Sequence, residues 1–175
     1  MTEKEKLNNK ALYIYNIIVE QSRKPFFFNN LKIKNDFYGN FEIVSINMTF
    51  VLWSLKRYQK LAPISQNIID IFFRDLDGCL RELGVSDLSV GRKIKIIAEN
   101  YYGRLSAYTE SFEMYLKNRK INFLVKKIEK NIPSLIIKNL DELTVKEFEK
   151  YLIRNIKYFE TVDSLRLENS SFRFY

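Results

Sequence analysis

The stretch FRDLDGCLRELGVSDLSVGRKIK, residues 73–95, decides the fold, because it reads either as a reactive site or as a corner between two helices. It contains three aspartates, one cysteine and five basic residues. Apolar residues recur every three or four positions before Gly84, and Ser86, Asp87 and Ser89 after it are suitable helix N-caps. Because glycine commonly ends helices, the stretch predicts one helix that stops at Gly84 and a second that starts a few residues later.

Helical spacing makes a metal site or a pair of catalytic carboxylates unfavourable in this stretch. Asp75 and Asp77 are two positions apart, so they point to nearly opposite sides of a helix. Asp77 and Arg81 continue an acid–base stripe that starts at Asp70 and Arg74, which predicts weak, solvent-exposed ion pairs. We therefore expect a structural corner, held mainly by Asp75, Asp77, Gly84, Asp87 and Gly91.

The chain lacks the residue types on which most catalytic and metal sites depend. It has no histidine, and Cys79 is its only cysteine, so no His-based catalytic pair, disulfide or CxxC zinc site can form. Cys79 lies beside an apolar helix face and is expected to pack as a small hydrophobe. No glycine-rich phosphate loop occurs either. These absences predict a protein that is not an enzyme and that carries no metal and no cofactor.

Composition also limits the fold class and the compartment. Five glycines and three prolines in 175 residues leave few places to break a helix. Apolar periodicity predicts helices over about residues 4–22, 41–60, 64–83, 90–116, 120–131 and 144–159, the last opened by a capping box from Thr144 to Glu147. We expect one all-α domain over residues 1–175, with 162–175 as a tail that either docks or frays.

The chain shows no segment for export or for crossing a bilayer. No apolar run is long enough to span a membrane, and the N-terminus MTEKEKLNN lacks a signal-peptide core. A reducing compartment is expected, either bacterial cytoplasm or one like the mitochondrial matrix. The net charge of +8 and the pI of about 9.4 favour an anionic partner, such as nucleic acid, a ribosome or a membrane surface.

Two segments of the fourth predicted helix suggest contact with a partner. Arg92 and Lys93 fall in its first turns, where the helix dipole disfavours each exposed cation by about 0.3–1 kcal/mol. Either Asp75 or Asp77 across the corner, or an external anion, is expected to compensate them.

The other segment is YYGRLSAY, residues 101–108, in the middle of the same helix. Its small residues Gly103, Ser106 and Ala107 allow close approach of a helix, and a helix of this same domain is favoured over a client helix. Tyrosines interleaved with Arg104 can also stack on RNA bases, although no RRM or KH signature is present.

These two blocks, residues 75–95 and 101–108, resemble the ubiquinol–cytochrome c chaperone family, the assembly factors of the cytochrome bc1 complex. Residues 23–25 (RKP) and the Phe41-Glu42 pair also fit the family pattern. The resemblance is strongest over residues 12–115, and the C-terminal third resembles the family mainly in helical character. Family members often carry Arg before the Phe-Glu pair and His five positions after the Glu; here Asn40 and Asn47 occupy those positions.

The resemblance implies a non-enzymatic chaperone that binds newly made cytochrome b, or another bc1 subunit, at the inner face of the membrane. It also implies a small partner protein, association with the ribosome and peripheral contact with the membrane surface. No DNA partner is expected. The alternative is a helical ribosome- or RNA-binding protein without a bc1 client. The expected partner-binding residues are Arg81, Arg92, Lys93, Tyr101, Tyr102, Arg104 and Tyr108.

Overall fold

Helix α2 (Phe37–Leu55) forms the centre of the computed structural model, which describes residues 2–175. Fifteen of its 19 residues are buried, because apolar side chains occur on every side of the helix. It packs against four other helices, which belong to the segments before and after it in the chain. A helix that is apolar all round is stable in water only when neighbours cover it, and this requirement organises the domain.

The other helices surround α2. They are α1 (Glu3–Ser22), α3 (Ala62–Glu82), α4 (Asp87–Asn118), α5 (Asn122–Asn131), α6 (Glu142–Thr161) and α7 (Ser164–Glu168). Short turns of π-helix (Phe26–Asn30) and 3-10 helix (Gln59–Leu61 and Ile137–Asn139) connect some of them. Residues 2–175 contain no strand, so the prediction of an all-α fold is confirmed.

The corner after α3 has the geometry expected from Gly84. Gly84 adopts a left-handed φ of 85°, where residues with a side chain are strained. Its N–H donates to the carbonyl of Arg81 at 2.9 Å, and the N–H of Val85 donates to the carbonyl of Leu80 at 3.0 Å. This pair of bonds is a Schellman motif, which ends α3 and turns the chain into α4.

Some helix boundaries differ from the sequence prediction, and side-chain caps explain two of them. Helix α2 starts at Phe37 rather than near 41, because the Asp36 carboxylate accepts the N–H of Gly39 at 2.9 Å. The capping box predicted from Thr144 is wrong. Asp141 is the N-cap of α6, and it accepts from the backbone N–H of Thr144 at 2.9 Å and from its hydroxyl at 2.6 Å.

The C-terminal tail docks rather than frays. Phe172 is 6% exposed, and its ring lies 5.7 Å from that of Phe159 on α6. Asn155 on α6 holds the last residue at both of its backbone groups. The Asn155 amide donates to the carbonyl of Tyr175 at 3.0 Å, and its oxygen accepts the N–H of Tyr175 at 3.1 Å.

A chain of buried hydrogen bonds links α1, α2 and α6. The Asn47 amide donates to the hydroxyl of Ser22 at 2.9 Å, and the Tyr151 hydroxyl donates to the Asn47 oxygen at 2.6 Å. Asn47 is fully buried, so each of these bonds satisfies a group that water cannot reach. The asparagine thus joins three helices at the position where the family often has histidine.

Two buried tyrosines provide a matched test of this network. Tyr151→Phe leaves the Asn47 oxygen without a partner, so we expect it to lower the free energy of unfolding by about 1–3 kcal/mol. The Tyr101 hydroxyl has no hydrogen-bond partner in the protein over residues 2–175. Tyr101→Phe should therefore leave the free energy of unfolding unchanged or raise it. Urea denaturation of both variants measures the difference, and equal losses would contradict the assignment.

Candidate functional site

Arg81 connects the two helices of the corner. Its Nε donates to the Asp77 carboxylate at 2.6 Å, and its Nη1 contacts Asp87 in the first turn of α4. These two hydrogen bonds raise the pKa of Arg81 above its ordinary value. Since both aspartates already engage the guanidinium, Arg81 is not a free cation for a partner. The predicted pairing of Asp70 with Arg74 is wrong, because Asp70 instead accepts from the Gln66 amide at 2.8 Å.

Asp75 serves α1 rather than the corner itself. It accepts the hydroxyl hydrogen of Tyr15 at 2.6 Å, and burial together with this hydrogen bond raises the pKa of Tyr15. Neither Asp75 nor Asp77 compensates Arg92 and Lys93. Both cations are exposed and form no ion pair with any residue from 2 to 175. Pairing with an aspartate across the corner, which was one of the two expected sources of compensation, is therefore excluded.

The structure contradicts the assignment of Tyr101 and Tyr108 to a contact surface. Both side chains are fully buried, so a partner has no surface of theirs to touch. The ring of Tyr101 lies 5.2 Å from that of Phe72, and the Tyr108 hydroxyl accepts from the Asn131 amide at 2.8 Å. Tyr102 differs, because 48% of it is exposed. It is the tyrosine of this segment that is free to contact a partner.

Gly103 of the same segment also differs from expectation. A methyl group added at Gly103 meets no atom within 4 Å, and the same holds at Gly91. Within residues 2–175, no close helix approach requires either glycine. Both lie exposed on the outer face of α4.

Arg104 forms a buried ion pair instead of a surface contact. Its Nε donates to the Glu42 carboxylate at 2.6 Å, and its Nη2 donates to the other oxygen of the same carboxylate. The guanidinium carbon lies 5.3 Å from the centre of the Phe41 ring. Glu42 is only 5% exposed. Burial raises the pKa of Glu42, and the hydrogen bonds from Arg104 oppose that rise. Each partner comes from a block that carries the family resemblance, but spacing alone did not indicate that they meet.

A cleft of about 560 Å³ opens between α1, α2 and α3, and we call it the α1–α3 cleft. Its wall is apolar, with a polar rim that carries both signs of charge. The apolar residues are Val19, Phe37, Phe41, Val44, Phe72 and Leu76, and the polar ones are Tyr15, Ser22, Arg23, Asn40, Asp75, Cys79 and Glu82. Leu83 also lines the cleft and is 65% exposed.

Cys79 belongs to this cleft and is only partly buried, so its prediction as a core residue is wrong in part. Burial, with the nearby charges of Asp75 and Glu82, raises the pKa of the Cys79 thiol. A raised pKa keeps the thiol protonated, and the protonated form is a poor nucleophile. The cleft is thus suited to binding and poorly suited to cysteine chemistry.

Residues from three separate resemblance blocks meet at the α1–α3 cleft. Arg23 directly follows α1, Phe41 lies in the second turn of α2, and the cleft residues from Asp75 to Leu83 lie at the end of α3. The fourth block, residues 101–108, contributes through the Glu42–Arg104 pair behind the cleft. Sequence reasoning missed this site, because no local pattern shows that segments distant in the sequence share a wall.

No cluster of three or more acidic or cysteine side chains that could hold a metal ion occurs in residues 2–175. None of the helices over the same residues is long and apolar enough to span a membrane.

Residues 29–174 match the sequence model of a protein family that is described as ubiquinol–cytochrome C chaperone. The chain belongs to this chaperone family. The match includes the C-terminal third, where the sequence alone showed mainly helical character. A comparison with curated proteins finds no match.

A solved structure shows the same fold. It is the crystal structure of the Cbp3 homolog from Brucella abortus, with a TM-score of 0.82 and 24% sequence identity. The likeness covers 98% of this chain and 92% of that chain, so it extends over α1, which precedes the range of the family match.

The Glu42–Arg104 pair predicts how stability depends on pH. Arg104→Met leaves a buried carboxylate unpaired, so we expect a loss of about 3–5 kcal/mol in the free energy of unfolding near pH 7.5. Without Arg104 the folded-state pKa of Glu42 rises further above its usual 4.5, so the folded chain binds more protons than the unfolded one. The loss should therefore shrink as pH falls toward 5.

The double variant Arg104→Met/Glu42→Gln is the control, since it removes the ionisable group. Urea denaturation at both pH values compares the two variants. A loss that is independent of pH in the single variant would show that Glu42 is not the titrating group.

Proposed function

We propose that this protein is a non-enzymatic assembly chaperone for the cytochrome bc1 complex, and that it holds an apolar segment of newly made cytochrome b in the α1–α3 cleft. Family membership supports bc1 assembly, and the cleft supplies the place for a client. The observation that carries the proposal is the meeting of three resemblance blocks around one open, mostly apolar wall.

The cleft has the properties that binding an unassembled membrane helix requires. Its volume lies within the range of about 300–1,000 Å³ that is usual for ligand sites, enough for the side chains of one helix face. Helix-in-groove recognition uses apolar anchors at positions i, i+3, i+4 and i+7. Val19, Phe37 and Val44 are partly exposed in the apolar wall and can meet such anchors, and Leu83 extends the wall to the mouth.

The residues available at the cleft explain why the client is held without a chemical reaction. Arg23 on one side and Asp75 and Glu82 on the other can orient the polar ends of a bound segment. The chain has no histidine, and the Cys79 thiol stays protonated, so neither of the usual base and nucleophile pairs is available. Release then depends on handing the client to its assembly partner rather than on a chemical step.

The exposed residues of α4 remain candidates for a second partner. Arg92, Lys93 and Tyr102 lie on the surface, apart from the α1–α3 cleft. We assign them to a small partner protein or to the ribosome, on the inner side of the membrane in bacterial cytoplasm or a matrix-like compartment. The second candidate function is a ribosome- or RNA-binding protein without a bc1 client, and the net charge of +8 favours it.

Two leucines of equal exposure test the cleft. Leu83 and Leu143 are each 65% exposed, but only Leu83 lines the α1–α3 cleft. Leu83→Glu should reduce the cytochrome b that co-purifies with the tagged protein by about tenfold or more, as expected from losing one buried leucine contact. Leu143→Glu is the control and should not change it. The assembled bc1 complex is measured in a deletion strain carrying each variant, and normal assembly in the empty deletion strain would reject the proposal.

Charge reversal on α4 tests the second partner. Arg92→Glu/Lys93→Glu should weaken co-sedimentation with ribosomes or capture of the partner protein, and helical circular dichroism should stay unchanged. The matched control reverses Lys150 and Arg154, which are also exposed and form no ion pair within residues 2–175. Equal behaviour of both double variants would remove Arg92 and Lys93 from the binding surface. RNA binding that depends steeply on salt, with normal bc1 assembly in the deletion strain, would favour the second function.

A further inference from the structure

The positive charge of the chain is concentrated at the end of α4 and around α5. Residues 117–138 contain seven basic residues and one acidic residue, so this segment carries +6 of the net charge of +8. Residues 74–99 around the α3–α4 corner contain five basic and five acidic residues, which balance. The seven basic residues form what we call the α4–α5 basic surface. They are Lys117, Arg119, Lys120, Lys126, Lys127, Lys130 and Lys138.

The orientation of α5 turns much of this charge outward. Leu124, Val125 and Ile128 of α5 are buried in the core. The opposite face therefore presents Phe123 and the residues three, four and seven positions after it, which are Lys126, Lys127 and Lys130. Phe123 is 42% exposed, so an aromatic ring stands at the start of a cationic stripe.

The turn before α5 adds further cations to this stripe. Arg119 adopts a left-handed φ of 57°, which ends α4 and starts the turn. Lys117, Arg119 and Lys120 are all exposed. The guanidinium of Arg119 lies 5.9 Å from the centre of the Tyr115 ring.

Nearly all of this charge is left without a counter-ion in the fold. Lys127 pairs with Glu110 at 3.0 Å, and it is the one basic residue of the surface with an ion pair inside residues 2–175. Glu129, the single acid of the segment, accepts the backbone N–H of Ile137 at 2.8 Å and neutralises no neighbouring lysine. The surface is thus ready to meet an anionic partner.

We propose that the α4–α5 basic surface docks this protein on an anionic lipid bilayer. Clustered lysines and arginines are attracted to anionic lipid headgroups, and an exposed aromatic ring among them can insert at the headgroup level. Single-stranded RNA is recognised by several exposed rings on which successive bases stack. Here Phe123 is the one large aromatic residue exposed in the segment, and the other exposed apolar residue, Ile136, has no ring. This inference stands whether or not cytochrome b is the client.

Vesicle co-sedimentation of the full chain tests the docking surface. We expect binding to vesicles of phosphatidylglycerol with phosphatidylcholine, little binding to phosphatidylcholine alone, and loss of binding at high salt. Each cation near such a surface contributes roughly fivefold to the partition coefficient. Lys120→Gln/Lys126→Gln/Lys130→Gln should therefore weaken binding at least tenfold.

A control triple variant, Lys24→Gln/Lys150→Gln/Lys157→Gln, removes the same charge from exposed lysines elsewhere and should bind as the parent does. Phe123→Ala should weaken vesicle binding severalfold at unchanged charge, and circular dichroism verifies that each variant is folded. Equal binding by both triple variants, or binding to phosphatidylcholine alone as strong as to the mixture, would overturn the proposal. Binding to polyuridylate without binding to anionic vesicles would also overturn it and assign the surface to RNA.

Discussion

Helix α2 can occupy the centre of the domain because its buried polar side chains are supplied with partners. Ser45 and Thr49 donate their hydroxyl hydrogens to carbonyls four residues earlier in the same helix, each at 2.7 Å. Asn47 is held by α1 and α6, and Glu42 is held by Arg104 of α4. An unpaired group at any of these positions would carry a desolvation cost that a helix so thoroughly buried cannot relieve with water.

These partners also fix how the neighbouring helices are placed. The Glu42 and Asn47 contacts hold α4, α1 and α6 against α2, so α3 closes the domain on the remaining side. Where α1, α2 and α3 meet, the rings of Phe41 and Phe72 stack at 6.0 Å, and the Tyr15–Asp75 bond joins α1 to α3. The α1–α3 cleft lies at this junction. It is formed by the same packing that buries α2, and it requires no separate binding module.

Local signals in the sequence were enough for the fold but not for the site. Gly84 and the apolar periodicity predicted the helices, because those signals act within a few residues of chain. Tyr101, Tyr108, Phe112 and Tyr115 recur at helical spacing on the buried face of α4, yet the proximity of Arg104 to the first two suggested a contact surface. The helical spacing was the better guide. The partner of Arg104 could not be inferred, since helical spacing identifies a face and not the residue 62 positions away that meets it.

The cleft and the basic surface share no residue, and both are joined to α4. The last turns of α3, which line the cleft, lead through the corner at Gly84 directly into the first turn of α4. The basic surface begins at the last turn of α4, and α5 then runs back along α4, where Lys127 pairs with Glu110 and the Asn131 amide donates to the Tyr108 hydroxyl. The two proposed activities use different residues of the domain: the basic surface can rest on a bilayer while the cleft holds an apolar segment, and α4 connects the two.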